Sequence, residues 1–220
     1  MGLRFLLIAL ILPVVSTNAQ APCSSGVPYR GCPACGTARS VKAQEDNTLK
    51  NRNQPPLANE VQPKTVDDLR NPAYDKKFYP DLAVEVTGYV AAVVPGAVKE
   101  TANCRRTDLR DVIIALVASP TEVGNDRKYV VLEISPYWQK QLGFDDSNYS
   151  LMLKEVSKKL EGKWVTFRGW LFNDYIHIDE AESTYPGNRT NWRATTWEIH
   201  PVTDYKILSG PPSPSQNRNP

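Results

Sequence analysis

The segment KWVTFRGWLFN, residues 163–173, decides the fold, because its side chains alternate with a period of two. Such alternation is typical of a half-buried β-strand and disfavours an amphipathic helix. Val165, Phe167 and Leu171 fall on one side, which we expect to face the core. Gly169 interrupts that side, and a glycine inside a strand usually marks a bulge or a bend where a sheet curls. The segment therefore predicts a strongly curved strand.

Working outward from this strand, apolar or alternating runs bounded by turn residues predict four more. The five predicted strands are residues 82–94, 111–117, 129–134, 163–173 and 195–208. The first has a glycine at its centre, and Pro201 in the last predicts a bulge or an edge.

A helical segment separates the third predicted strand from the fourth. Pro136 suits the first position of a helix. Leu151, Leu153, Val156 and Leu160 approximate an apolar helical stripe. The order β-β-β-α-β-β predicts a mainly β chain with an OB-fold-like five-stranded barrel. Another α+β sheet of five or six strands is the alternative.

The N-terminus predicts an exported protein. Arg4 precedes an apolar run over residues 5–15, and small or polar residues follow up to Ala21. This is the pattern of a secretory signal peptide, here residues 1–21. The run is too short to span a bilayer, although a retained N-terminal anchor is the alternative. We expect a periplasmic or extracellular location, with no transmembrane segment in the mature chain.

Three further regions follow from composition. Residues 22–80 predict an irregular arm rich in proline, which has one short helix over residues 42–52 and too few apolar residues for its own core. The arm either wraps the following domain, tied by a disulfide to Cys104, or stays loose and docks on a protein partner. The barrel domain covers residues 81–208, and residues 209–220 predict a disordered tail.

Export favours disulfides for the four cysteines, Cys23, Cys32, Cys35 and Cys104. Two structural disulfides are expected, and the sequence leaves all three pairings open. A catalytic redox site at Cys32 and Cys35 is disfavoured, because such a motif follows a β-strand and none is predicted before Cys32. Zinc binding by all four cysteines is disfavoured, because the sequence has only one C-x-x-C motif and zinc sites of this kind usually have two.

The charge balance and two long loops bear on ligands. The chain has 26 basic and 24 acidic side chains, and such near-neutrality counts against dedicated nucleic-acid binding. The loops over residues 95–110 and 173–194 combine arginines with aromatic rings, which suits a saccharide or another small ligand; self-packing of the second loop is the alternative. The predicted ligand-binding residues are Arg105, Arg106, Tyr175, His177, Arg189, Trp192 and Arg193.

The two histidines suggest an alternative function. If residues 175–179 are extended, His177 and Asp179 share a face and could bind a metal ion together with His200. Glu198 and His200 also share a face, so His177, Glu198 and His200 are alternative catalytic residues. Solvated or hydrogen-bonded histidines explain the same pattern without a site. No nucleophile motif, cofactor motif or phosphate-binding glycine loop is found. We therefore expect a non-catalytic binding module without a cofactor, with a metal-assisted hydrolase as the alternative.

The segment NWRATTWEIHPVT, residues 191–203, resembles the C-terminal signature of an uncharacterised group of predicted exported bacterial proteins with an OB-like domain. Residues 100–104, followed by Asp111, and residues 49–52 are similar to two further segments of that group. A histidine of the group's pattern is replaced here by Val112 or Ile113, which weakens a metal or acid–base site on that strand. The resemblance implies secretion and a β-rich domain, and it implies no reaction.

Overall fold

The computed structural model describes residue 23, residues 27–71 and residues 78–212. Five strands within these residues close into a barrel, in which β4 and β6 are parallel and the other neighbours are antiparallel. The order around the barrel is β2-β3-β4-β6-β5, and β5 pairs back with β2. The strands are β1 Gln62–Thr65, β2 Ala83–Pro95, β3 Val112–Val117, β4 Val130–Ile134, β5 Trp164–Asn173 and β6 Trp197–Ile207. This mainly β architecture confirms the predicted fold class and is consistent with an OB-like barrel.

The helices are α1 Val41–Lys50, α2 Val66–Arg70, α3 Pro136–Gln141 and α4 Tyr149–Leu160. The last two lie between β4 and β5, as predicted. The predicted stripe of α4 is wrong at Leu151, which is 64% exposed, whereas Met152 is buried with Val156 and Leu160. A spacing of four residues keeps these three on one side of a helix, and Leu151 lies one residue, about 100°, away from it.

The interior of the barrel is apolar. Val165, Phe167 and Leu171 of β5 point into it, as their alternation predicts. A Cβ atom at Gly169 would lie 2.3 Å from the carbonyl oxygen of Pro201. The pairing of β5 with β6 shifts register at this point, so the predicted bulge at Gly169 and Pro201 is confirmed.

The arm wraps the barrel. Two disulfides are formed, Cys23–Cys35 and Cys32–Cys104, and the second ties the arm to the loop after β2. The short helix predicted in the arm is present as α1, but the expectation that the rest of the arm is irregular is only partly right, because the arm also contains β1, which pairs in parallel with β2, and the helix α2. Ser40 caps α1, and Thr65 and Asp68 form a capping box on α2.

None of the described helices is long and apolar enough to cross a membrane. The predicted signal peptide and residues 213–220 of the predicted tail lie outside the described residues.

Candidate metal centre

The outer face of the barrel carries a polar layer beneath the arm. Side chains alternate along a strand, so Glu133 of β4 points outward when Leu132 points into the barrel. His200 of β6 likewise points outward next to the inward Ile199. Asp111, immediately before β3, reaches the same layer, and these three polar residues are 1–5% exposed.

Asp111, Glu133 and His200 form the central group of this layer. One potential ligand atom from each lies within 4.8 Å of the other two. His200 Nε2 is 4.0 Å from Asp111 Oδ1, and His200 Nδ1 is 3.4 Å from Glu133 Oε2. His200 Nε2, Asp111 Oδ1 and Glu133 Oε2 are buried without a hydrogen-bond partner within the described chain. Buried polar atoms nearly always have a partner, so three orphaned atoms in one place need an explanation.

A chain of ion pairs sets the orientation of the imidazole. His200 Nδ1 lies 3.1 Å from Glu198 Oε1, and Arg193 Nη2 donates to Glu198 Oε2 at 2.8 Å. Arg193 Nη1 donates to Asp174 Oδ2 at 3.1 Å. A carboxylate that holds one ring nitrogen in this way leaves the other nitrogen free to ligate a metal, which is the usual arrangement around metal-bound histidines.

The electrostatics of the layer favour an added cation. Burial raises the pKa of Asp111, and the neighbouring carboxyl group of Glu100 raises it further. Burial also raises the pKa of Glu133, and the charge of Glu198 raises it further. Burial lowers the pKa of His200, and the charge of Lys50 contributes, so the imidazole is neutral at pH 7.

Glu198 differs from the other carboxylates. Burial acts to raise its pKa, but the charge of Arg193 and the hydrogen bond with His200 outweigh that effect and hold the pKa well below its usual range. Carboxyl groups outnumber cations here. Five carboxyl groups, of Glu100, Asp111, Glu133, Asp174 and Glu198, interact with the two permanent cations Lys50 and Arg193.

Two carboxylate oxygens and one imidazole nitrogen fit a divalent ion. Protein oxygen and nitrogen ligands lie roughly 2.0–2.2 Å from Zn²⁺. An ion between His200 Nε2 and Asp111 Oδ1, which are 4.0 Å apart, would satisfy both distances. Imidazole with carboxylates suits first-row ions such as Zn²⁺, Mn²⁺ and Fe²⁺ better than Ca²⁺.

The structure separates the predicted metal ligands. Residues Tyr175–Glu180 form 3-10 turns, so the extended conformation on which the alternative metal site depends is not formed. His177 Nδ1 lies 2.8 Å from Glu180, and its Nε2 lies 3.5 Å from Asp174. His177 and Asp179 are not in the group around His200. By contrast, the predicted pair of Glu198 and His200 is in contact.

The predicted ligand-binding residues of the second loop make contacts within the protein. Tyr175 donates to Asp46 at 3.0 Å, and the Trp192 ring meets His177 edge-to-face at 5.4 Å. Arg193 is completely buried, whereas Arg189 is exposed.

In the first loop, Arg105 is exposed and Arg106 pairs with Asp108. A ligand role for the combined set of loop residues stays a prediction.

Sequence reasoning missed Glu133 and gave Asp111 no role. A signal for Glu133 exists, because it is the one charged residue in the apolar strand Val130–Ile134, and a buried carboxylate needs a partner. Asp111 stands directly before another apolar strand.

Comparison with known proteins adds no assignment. No family model matches the chain, and neither a curated protein nor a solved structure matches it. The resemblance to exported bacterial proteins with the tryptophan-rich signature stays a prediction.

Proposed function

We propose that the protein is an exported binding module whose ligand is a divalent metal ion held by Asp111, Glu133 and His200. The observation that carries this proposal is the convergence of Asp111, Glu133 and His200 from separate parts of the barrel, because each also has a buried side-chain atom without a hydrogen-bond partner within the described chain. Leaving such atoms unpaired costs about 1–3 kcal/mol each. One cation would satisfy all three.

The surroundings of the site support the same function. Glu198, fixed by Arg193, orients His200 as a neutral ligand. A divalent ion would favour the charged forms of Asp111 and Glu133, whose pKa values are raised by burial without it.

Metal analysis tests the proposal. Purified protein is stripped with a chelator and titrated with Zn²⁺ and Mn²⁺ by calorimetry, and its metal content is measured. We expect one ion per chain, a loss of at least tenfold in affinity for His200→Ala and Glu133→Gln, and unchanged affinity for His177→Ala. The absence of binding to any first-row divalent ion, or unchanged binding by His200→Ala, would contradict it.

Export is supported by the two disulfides, which persist in oxidising compartments. Expression with its own N-terminus should yield a chain that starts after residue 21 and has no free thiol. Intact-mass measurement before and after alkylation checks both. A chain that retains residues 1–21 would remove the signal-peptide interpretation.

Metal-assisted hydrolysis is a second candidate, favoured by the number of protein ligands. Catalytic zinc sites commonly have three protein ligands and an open position for water, and three donors converge here. Metal-loaded protein is assayed on generic esters and phosphodiesters, with His200→Ala as the inactive control. No turnover above that of the control would remove this candidate.

A further inference from the structure

Lys50, the last residue of α1, is the cation that the arm carries over the polar layer. Its Nζ lies 5.0 Å from the centre of the Phe172 ring. That ring meets the His200 imidazole edge-to-face, with ring centres 6.1 Å apart. Because α1 packs against β6, the ammonium lies on the arm side of the proposed metal ligands.

Two asparagines fix the position of this helix end. Asn47 Nδ2 donates to the carbonyl oxygen of Cys35 at 2.8 Å and to Thr101 Oγ1 at 3.1 Å. Asn51 Nδ2, one turn later, donates to the carbonyl oxygens of Ala34 at 3.0 Å and Ala102 at 2.9 Å.

The Cys32–Cys104 disulfide joins the two segments that accept these bonds. Lys50 therefore has a defined location, although its side chain is long.

The ammonium acts on the layer through its field. Burial lowers the pKa of Lys50, but Glu198, Glu133 and two further carboxylates outweigh burial and raise it, so the side chain is charged. Among the described residues, no carboxylate oxygen lies within 4.0 Å of Lys50 Nζ. Lys50 thus supplies positive charge to the layer while leaving the ligand atoms of Glu133 and His200 uncovered.

We infer that Lys50 is the built-in counter-cation of the metal site, competes with the metal ion for the same carboxylates, and thereby sets the metal affinity. This inference rests on the proposed function. An ammonium near a divalent ion repels it, and the repulsion is large where the effective dielectric constant is low. Without a metal ion, the same ammonium stabilises the carboxylates that would otherwise repel one another.

Lys50→Met tests the inference, because methionine keeps most of the alkyl chain against Phe172 and removes the charge. Lys42→Met is the matched control, since Lys42 is on the same helix and its side chain is 63% exposed. Stripped proteins are titrated with Mn²⁺ and Zn²⁺ by calorimetry. We expect Lys50→Met to bind roughly tenfold or more tightly than the wild type, and Lys42→Met and Lys50→Arg to bind as the wild type does.

The outcomes separate this inference from the proposed function. Equal or weaker binding by Lys50→Met, with a wild type that binds, overturns the role of Lys50 and leaves the metal site standing. No binding by either protein overturns both. Binding by Lys50→Met alone would contradict the proposed function of the wild type, because the ammonium would then exclude the ion rather than set its affinity. If Lys50→Met is unfolded without metal, Mn²⁺ should restore its fold by replacing the lost charge, and failure of that rescue overturns the inference.

Discussion

The interior of the barrel and the polar layer beneath the arm are both buried, but they are held together by different interactions. The interior is closed by pairing among β2 to β6 and filled with apolar side chains such as Phe167 and Ile199. Burial of each such side chain contributes about 1.5–3 kcal/mol, and the interaction has no directional requirement. The layer contains carboxyl groups, Arg193 and His200, and the helix α1 of the arm packs against the same strand β6.

The difference shows why the layer calls for a functional explanation. Buried ion pairs are often no more stabilising than apolar residues of similar volume, because desolvation offsets their attraction. Breaking one partner, however, leaves an uncompensated charge. A protein that needed only stability would be served as well by apolar side chains at Glu133 and His200. A metal ligand set requires polar ones.

The largest effect is expected from Arg193→Met. The change removes the cation that bridges Asp174 and Glu198, whose carboxylates then stay buried without it. We expect a loss of about 3–5 kcal/mol in the free energy of unfolding, measured with denaturant. Arg189→Met, in the same loop but exposed, should change it by less than about 0.5 kcal/mol. Equal effects of the two variants would remove the distinction between the layer and ordinary surface charge.

Removal of the Cys32–Cys104 disulfide should affect the layer more than the interior. The bond closes a separation of 72 residues, against 12 for Cys23–Cys35. We expect the double substitution Cys32→Ala and Cys104→Ala to lower the free energy of unfolding by about 2–4 kcal/mol. Removal of the Cys23–Cys35 disulfide should lower it by less, because that bond closes a shorter loop. Hydrogen exchange should accelerate in α1 while β2 and β5 stay protected. Acceleration spread evenly over the barrel would show that the arm and the barrel unfold as one unit.

Trp138→Phe tests a single attachment of the arm. Trp138 is buried, and its Nε1 donates to the carbonyl oxygen of Arg52 at 2.7 Å. Loss of this bond should cost about 1 kcal/mol in urea unfolding, because the ring still packs while the acceptor loses its partner. Trp170→Phe loses a bond of 3.1 Å to Gln54 at an exposed site and should cost less. The reverse order would mean that the exposed bond holds the arm more firmly.

The smallest effect is expected at the ion pair of Arg70 and Glu122, with oxygen–nitrogen distances of 2.8 and 3.1 Å. Burial acts to raise the pKa of Glu122, but Arg70 outweighs it and lowers the pKa. A carboxyl group with a lowered pKa in the folded state stabilises above its unfolded pKa of about 4.3, and this stability is lost as the pH falls through the folded value.

Glu122→Gln should therefore lower the free energy of unfolding by less than about 1 kcal/mol at pH 7, and should not change it well below pH 4. Thermal unfolding of both proteins across pH 3–7 measures the difference. A difference that does not change with pH would assign the effect to packing rather than to charge.

The strands were predictable and the layer was not, for a physical reason. The alternation in residues 163–173 and the apolar runs of β3 and β4 are local patterns that a barrel retains. The strand β1, Gln62–Thr65, has no such pattern and forms because it pairs with β2. The extended conformation that the alternative metal site requires over Tyr175–Glu180 does not form, because Ile176 and Ile178 are exposed and no partner strand is present within the described chain.

The candidate site depends on contacts between distant segments. Asp111, Glu133 and His200 are brought together by the pairing of β3 with β4 and of β4 with β6. The sequence predicts the pairing of Glu198 with His200, because residues two apart on one strand lie on the same face. Lys50 and the disulfide pairing depend on how the arm folds back, which no local pattern specifies.

Anomalous diffraction at the Mn or Zn edge, from crystals grown with that ion, tests the metal site most directly. We expect one strong peak about 2.0–2.2 Å from a ring nitrogen of His200 and from an oxygen of both Asp111 and Glu133, and no peak in crystals of His200→Ala. A fully occupied peak elsewhere on the chain, with the buried layer empty, would contradict it.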